Sequence, residues 1–268
     1  MADLPGEARE NGVNMEIISW NVNGIRAVEK KGFPEWMDRV GPDVLCLQET
    51  KAWPEQISPG LRDPPGYHAF WSKPVKKGYS GVAVFSREKP ESVSMTMGED
   101  RFDAEGRLIM AEFGDFCLFN VYFPNGKASP ERLAYKLAFY DRFLDIIERA
   151  RKKKPVVFCG DVNTAHKPID LSHPKANEST SGFLPIEREW MDRVVDTGYI
   201  DTFRHFDLSP EKYTWWDYKT GARARNVGWR LDYFFASKEL LPRLRAACIL
   251  SDVMGSDHCP VGIQLAGK

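Results

Sequence analysis

The chain predicts an α/β protein in which two mixed β-sheets pack face to face with helices outside. Three observations carry this expectation. Eight apolar, β-branched or aromatic runs of strand length are spread from one end to the other: "MEIISW", "DVLCLQ", "GVAVFS", "RLIMAEF", "FCLFNVYF", "PVVFCG", "LDYFFAS" and "PVGIQL". Helical segments are fewer, and the longest divides the strands into groups on either side of it. No composition break, repeat or low-complexity linker interrupts the 268 residues, a length that one α/β domain can fill.

Taken in order, the elements have local reasons. The opening "MADLPGEARENGVN" lacks the basic start and apolar stretch of a signal peptide, so residues 1–14 are expected to be a short mobile extension and residues 15–268 a single domain. "MEIISW" follows as the first strand, and a short helix fits Phe33 to Val40 before "DVLCLQ". "GVAVFS", "RLIMAEF" and "FCLFNVYF" continue the strands. The clearest helix begins near Pro130, where Leu133, Leu137, Tyr140, Leu144 and Ile147 recur at steps of four and three along one face. Ser129 is its expected N-cap, Pro130 stands at the first helical position, and basic residues fill the last turn. "PVVFCG" comes next, then a helix over residues 185–195, then "LDYFFAS" and "PVGIQL".

Composition narrows the class. Hydrophobic residues make up 43% and charged residues 28%, enough apolar material for a large core and no sign of disorder. No apolar run reaches the length of a membrane span, so an intracellular protein is expected, in the cytoplasm or nucleoid, or in the nucleus of a eukaryote. The five cysteines lack CxxC spacing and read as buried free thiols. A net charge of -1 does not advertise a nucleic-acid binder, although charge can be segregated on one surface. Of the basic clusters, only "RARNVGWR" interleaves a tryptophan and an asparagine with its arginines.

Chemistry gathers where strands end. "VVFCGDVNTAH" runs an apolar strand straight into Asp161, Asn163 and His166. "IISWNVNGIRA" delivers Asn21 and Asn23, "VLCLQETKA" delivers Glu49, "FNVYFPNG" ends in Tyr122 and Asn125, and "GSDHCPV" brings Asp257 and His258. Acids, amides, a tyrosine and a histidine, with no serine or cysteine nucleophile context and no Walker-type loop, suit hydrolysis of a phosphate ester assisted by a hard divalent cation. Such a reaction needs a base for water and donors for the charge that grows at phosphorus. Each signal alone has a plainer reading. "GDVN" is also an Asx-type turn, His258 a hydrogen-bonded structural histidine, Tyr122 a core residue, and Glu49 with Lys51 a surface pair.

The wording and order of "SWNVNGIRA", "LCLQETKA", "GYSGVAVFSR", "NVYFPNG", "GDVNTAH", "NVGWRLDYFFAS" and "SDHCPV" resemble the successive motifs of the exonuclease III class of apurinic/apyrimidinic (AP) endonucleases, within the DNase I-like phosphodiesterase superfamily. The resemblance runs from about Met15 to about Leu265. It implies a four-layer α/β sandwich with its site at one edge of the paired sheets. It implies Glu49 as the principal Mg²⁺ ligand, with Mn²⁺ the alternative ion, and places Asn21 and Asn23 beside it and Asp257 in the metal region. Asp161 would orient or deprotonate water, and Asn163 would hold that water or a phosphate oxygen. Asp232 and His258 would pair, the imidazole donating to the scissile phosphate, while Tyr122 and Asn125 complete a phosphate clamp. His166 would be a supporting residue. Trp215, Trp229 and Leu231 would wall a pocket too tight for a base, Tyr79 and Arg107 would contact the DNA backbone, and Lys127 and Lys219 would sit in loops entering the grooves. Where relatives often carry Asp and Phe, this chain has Asn23 and Trp215. For Trp216 an ordinary core role is expected.

The implied activity is that of a monomeric, Mg²⁺-dependent endonuclease acting on damaged double-stranded DNA 5′ of an abasic site, with 3′→5′ exonuclease or 3′-end cleaning activity beside it. Two alternatives stand next to it: another phosphoesterase of the superfamily, and a catalytically silent DNA-damage binding protein. An intact Glu49, Asp161, Asp232 and His258 set speaks against the second.

Overall fold

The computed structural model describes residues 14–267. The expected N-terminal extension falls outside them except for Asn14, which opens the first strand and pairs with Ala266. In chain order the strands are β1 (Asn14–Asn21), β2 (Val44–Gln48), β3 (His68–Ser72), β4 (Val82–Ser86), β5 (Ser92–Ser94), β6 (Leu108–Glu112) and β7 (Cys117–Tyr122). They continue with β8 (Val156–Asp161), β9 (Tyr199–Asp201), β10 (Trp215–Trp216), β11 (Gly228–Trp229), β12 (Asp232–Ser237), β13 (Leu244–Ile249) and β14 (Val261–Ala266). Two six-stranded sheets result, ordered β13-β14-β1-β2-β4-β3 and β5-β6-β7-β8-β12-β9, and β10 and β11 form a small hairpin. Each large sheet is mixed, with one parallel pair at its centre, β1–β2 and β7–β8.

Strand alternation explains the layering. Val44 and Cys46 of β2, Val82 and Val84 of β4, and Val157 and Cys159 of β8 meet in the cluster between the sheets. Their neighbours Leu45, Leu47, Ala83 and Phe85 point the other way, against Phe33 and Trp36 of the helix Phe33–Val40. On the far side, Val156 and Phe158 meet Phe139, Phe143 and Ile147 of the helix Pro130–Arg151 and Trp190 of the helix Pro185–Asp196. Three apolar interfaces separate four layers, the sandwich that the motifs imply. Ser129 caps the long helix as expected, its hydroxyl accepting from the Arg132 N–H at 3.3 Å.

All eight expected strands are present. Four strands of the large sheets that the pattern did not mark, β3, β5, β9 and β13, are the four sheet edges.

Candidate active site

The same alternation delivers the site. On β8 the inward positions run Val157, Cys159, Asp161, and Asp161 pairs in register with Tyr122 of β7 and Asp232 of β12. A phenol and two carboxylates therefore stand on one rung, facing the opposite sheet. From that sheet come Asn21, the last residue of β1, and Glu49, just past β2. Asn21 joins the two halves: its amide donates to Glu49 Oε1 at 3.0 Å and to Asp161 Oδ2 at 2.8 Å. Gly160 makes the close approach of β7 and β8 possible, because its φ is +132° and a Cβ there would lie 1.9 Å from the Val121 carbonyl oxygen.

Asn163 lies beside Asp161 by a different route from simple alternation. Its φ is +55°, so the extended conformation has already ended. It is an Asx-type turn that returns its amide to the site. Asp161 Oδ1 accepts the Asn163 N–H at 2.8 Å, while Asn163 Nδ2 donates to Asp161 Oδ2 at 3.1 Å and to the Phe123 carbonyl at 3.0 Å. Asn163 Oδ1 accepts from Asn125 at 3.0 Å. The segment is an Asx-type turn, and that turn places the Asn163 amide beside Asp161.

His258 is buried opposite. Its Nδ1 lies 2.8 Å from Asp232 Oδ2 and its Nε2 3.9 Å from Asp161 Oδ2. Asp232 Oδ2 also accepts from Thr214 Oγ1 at 2.6 Å, and that hydroxyl in turn accepts from the Leu231 and Asp232 N–H groups. Burial disfavours the imidazolium, but the facing Asp232 and Asp161 carboxylates outweigh it and carry the His258 pKa up to about 10. Burial raises Asp161 to about 7; His258 pulls it down, while Asp232 and Glu49 push it up. Tyr122 is raised well above the ordinary phenol range, first by burial and then by the Glu49 carboxylate, and stays a neutral donor. Glu49 behaves oppositely. Burial would raise it, but Lys51 and the Asn21 amide hold it below the usual carboxylate value.

An oxygen-lined setting for a cation is present. Carboxylate oxygens of Glu49 and Asp161 lie within 4.8 Å of one another, with the His258 ring beside them, which is no ligand while it carries both protons. Beside them, the Lys51 ammonium sits 2.7 Å from Glu49 Oε2 and bonds Asn23 Oδ1, so two expected oxygen ligands already gather around a positive charge. The donor set fits a hard divalent ion. Asp257 stands one step back, accepting from Asn23 Nδ2 at 2.8 Å and from Trp215 Nε1 at 3.1 Å.

Trp215 and Trp229 pair across the β10–β11 hairpin, and with Leu231 they line a cavity of about 210 Å³ that also contains Glu49, Tyr122, Asp161 and His258. Lys127 lies in this cavity wall, its ammonium 5.5 Å from the Trp215 ring centre and 5.3 Å from that of Trp229. Lys219 is exposed on a turn and does not line the cavity. Trp216 is a core residue with Tyr213, Ala222 and Cys259, as expected.

One expectation is corrected. Arg107 is 3% exposed, and its guanidinium is spent on Glu105, Tyr79 and the Tyr122 carbonyl, so it braces Tyr122 rather than facing solvent as a backbone contact. Tyr79 is the half-exposed member of that group, its hydroxyl accepting from Arg107 and Arg132. His166 turns away from the site to Asp192, 2.8 Å from its Nε2. Most of the "RARNVGWR" cluster is structural: Arg230 is buried against Asp170 and Asp201, and Arg223 donates to the carbonyls of Ser251, Val253 and Ser256. Lys51 and Thr214 were missed as site residues. Lys51 follows Glu49 by two positions and Thr214 immediately precedes a pocket wall, but residue type alone marks neither.

Comparison with known proteins agrees with this geometry. The profile of the Endonuclease/Exonuclease/phosphatase family matches residues 18–258. The chain is 45% identical over 249 residues to the exodeoxyribonuclease of Bacillus subtilis, covering 92% of this chain and 98% of that protein. It is 43% identical over 258 residues to the DNA repair nuclease APEX1 of Danio rerio, covering 94% of this chain and 83% of that protein. An AP endonuclease structure from Archaeoglobus fulgidus superposes with a TM-score of 0.84 at 30% identity, covering 94% of this chain and 99% of that one.

Proposed function

The chain belongs to the Endonuclease/Exonuclease/phosphatase family and is a DNA-repair nuclease, and on that premise we propose that it hydrolyses the phosphodiester 5′ of abasic sites in duplex DNA. The products are a 3′-hydroxyl and a 5′-deoxyribose phosphate. The observation that carries the reading is the single rung of Tyr122, Asp161 and Asp232, with His258 held by Asp232 and Glu49 opposite, opening into a tryptophan-walled cavity.

The roles follow from position. Asp161, unusually basic for a carboxylate, takes the proton of the attacking water, and Asn163 fixes that water or a phosphate oxygen. His258, charged by its carboxylate neighbours, donates to the phosphate, and Tyr122 adds a neutral hydroxyl. Glu49 and Asn23, with Asp257 behind them, would hold Mg²⁺, which when bound supplies positive charge for the phosphate and the leaving oxygen. Trp215, Trp229 and Leu231 would close on a deoxyribose that carries no base, extruded from the duplex. The same groups would attack a terminal linkage, giving 3′→5′ exonuclease or 3′-end cleaning activity. The enzyme acts as a monomer in this reading. Among the described residues no helix is long and apolar enough to cross a membrane.

The test is incision of a labelled duplex carrying one tetrahydrofuran abasic analogue, with Mg²⁺ or EDTA, by wild type and Asp161→Asn. One metal-dependent cut 5′ of the lesion, lost in the variant, is expected. Binding without cutting would favour a silent damage binder, and neither would redirect the search to phosphorylated small molecules.

A further inference from the structure

Behind the catalytic loop lies a fully buried ion pair that the chemistry above does not use. Lys136 of the helix Pro130–Arg151 and Glu187 of the helix Pro185–Asp196 are both 0% exposed, with Nζ 2.7 Å from Oε1. Each side chain is saturated toward a different segment. Lys136 Nζ also donates to the Asn163 carbonyl at 2.7 Å and to Thr164 Oγ1 at 2.8 Å. Glu187 accepts from Ser181 Oγ at 2.8 Å and from the N–H groups of Gly182 at 2.5 Å and Leu184 at 3.1 Å.

The two segments are the halves of one wall of the site. Ser181 and Gly182 line the cavity with Asn163, and Ala165 N–H donates to the Gly182 carbonyl at 2.8 Å. A Cβ at Gly182 would lie 3.3 Å from both the Asn163 carbonyl oxygen and the Trp229 ring, so the three are already in close packing. Asn163, at φ +55°, has left the regular strand. From its own segment the Thr164 hydroxyl reaches its carbonyl at 2.9 Å, and Lys136 supplies the charged donor from another element. A buried pair is weak evidence for stability, since apolar residues of similar volume often serve as well. Its saturation toward two site loops gives it another use.

We infer that Lys136 and Glu187 are positioning residues that lock the Asn163 turn to the Ser181–Gly182 wall, and so set both the placement of the Asn163 amide and the width of the pocket against Trp229. The role rests on the activity proposed above, but the lock itself can be read without substrate.

The test replaces both charges at once, with Lys136→Met and Glu187→Leu in one chain, so that no unpaired charge is left behind. Thermal melting, amide hydrogen exchange at Ala165 and Gly182, and steady-state and single-turnover incision of the tetrahydrofuran duplex are compared with wild type. The expected result is a lower melting temperature, since the Gly182 and Leu184 N–H groups and the Asn163 carbonyl lose their charged partners, with faster exchange at Ala165 and Gly182 and single-turnover incision slower by about 10- to 100-fold, the scale of a small misplacement near a reacting centre. Recovery of wild-type exchange and rate in the double variant would overturn the inference and leave the pair a matter of charge compensation alone. Glu187→Asp covers the case of a double variant that does not fold. It keeps the charge opposite Lys136 and withdraws the carboxylate by one methylene, and it is expected to raise KM several-fold with kcat within about twofold, since the wall rather than the Asn163 carbonyl is released. Wild-type exchange and KM there would equally sink the idea. If the wild-type protein failed to cut the abasic duplex, the function reading would fall while the exchange result still decided the lock.

Discussion

Asp161 and His258 face each other across 3.9 Å, and their protonation sets what each can do. Asp161→Asn keeps the size and removes the base of the proposed mechanism, so incision should fall by about 10²- to 10⁴-fold. Stability should not fall with it, because the carboxylate is buried against Asp232 and Glu49 and opposed by both. Calorimetry beside the incision assay checks both halves. Activity of the wild type should rise as pH climbs through about 7 and decline beyond about 10, where first the base and then the donor changes state. The stability linkage has a definite sign. Folded His258 keeps a proton up to about 10 that an ordinary histidine loses near 6.5, so its contribution is full below about 6.5 and is lost as pH rises to about 10. The melting-temperature advantage of the metal-free wild type over His258→Asn should therefore shrink from pH 6.5 to 10, and a constant gap would contradict the assignment. Much of this site was legible, since acids and amides at strand ends are conspicuous. Arg107 was misjudged because residue type says nothing of burial, and a nearby Glu105 can absorb a guanidinium as readily as a phosphate can.

At the level of elements, legibility tracked burial. Central strands such as "VLCLQ" and "VVFCGD" are buried along their whole length and carry continuous apolar runs. The edges β3, β5, β9 and β13 are largely half-buried, with mixed sequences such as "LRAACI" that no period singles out. The β10–β11 hairpin is only two residues on each side and is held by its tryptophans, so neither length nor alternation announces it. One central strand depends on a single atom. At Gly160 an added methyl would enter the Val121 backbone from a positive φ, and no side-chain rotation relieves a backbone clash. Gly160→Ala should cost about 3–5 kcal/mol, at the upper end for a point substitution, and displace Asp161 from the rung it shares with Tyr122 and Asp232. Denaturant unfolding measures the cost, and a loss below 1 kcal/mol would mean that β7 and β8 can separate without penalty.

On the scale of the whole molecule, the site exists only where the two sheets meet. Asn21, Glu49 and His258 belong to one sheet and the segments around it, Tyr122, Asp161 and Asp232 to the other, so the proposed mechanism makes inter-sheet spacing a catalytic parameter. That spacing is fixed by more than apolar contact. Asn120 of β7 reaches across to donate to the carbonyls of Leu47 and Ala83, at 3.1 and 2.8 Å, and accepts from Gln48 Nε2 at 2.7 Å. Gln48 also donates to Ser19 at 2.9 Å, tying the clasp to β1 one turn of alternation before Asn21. Apolar faces can slide, whereas these bonds hold at one register. Asn120→Leu would remove three hydrogen bonds from a dry interface and leave Gln48 Nε2 with Ser19 Oγ as its near acceptor, a loss of about 2–4 kcal/mol by unfolding. Adding Gln48→Leu removes the amide that has lost its Asn120 acceptor, and the double variant should regain part of that stability. Activity should not return with it, because the register between Asn21 and Asp161 would then rest on apolar packing alone. A double variant that recovers stability and incision together would show that packing is sufficient to align the two halves.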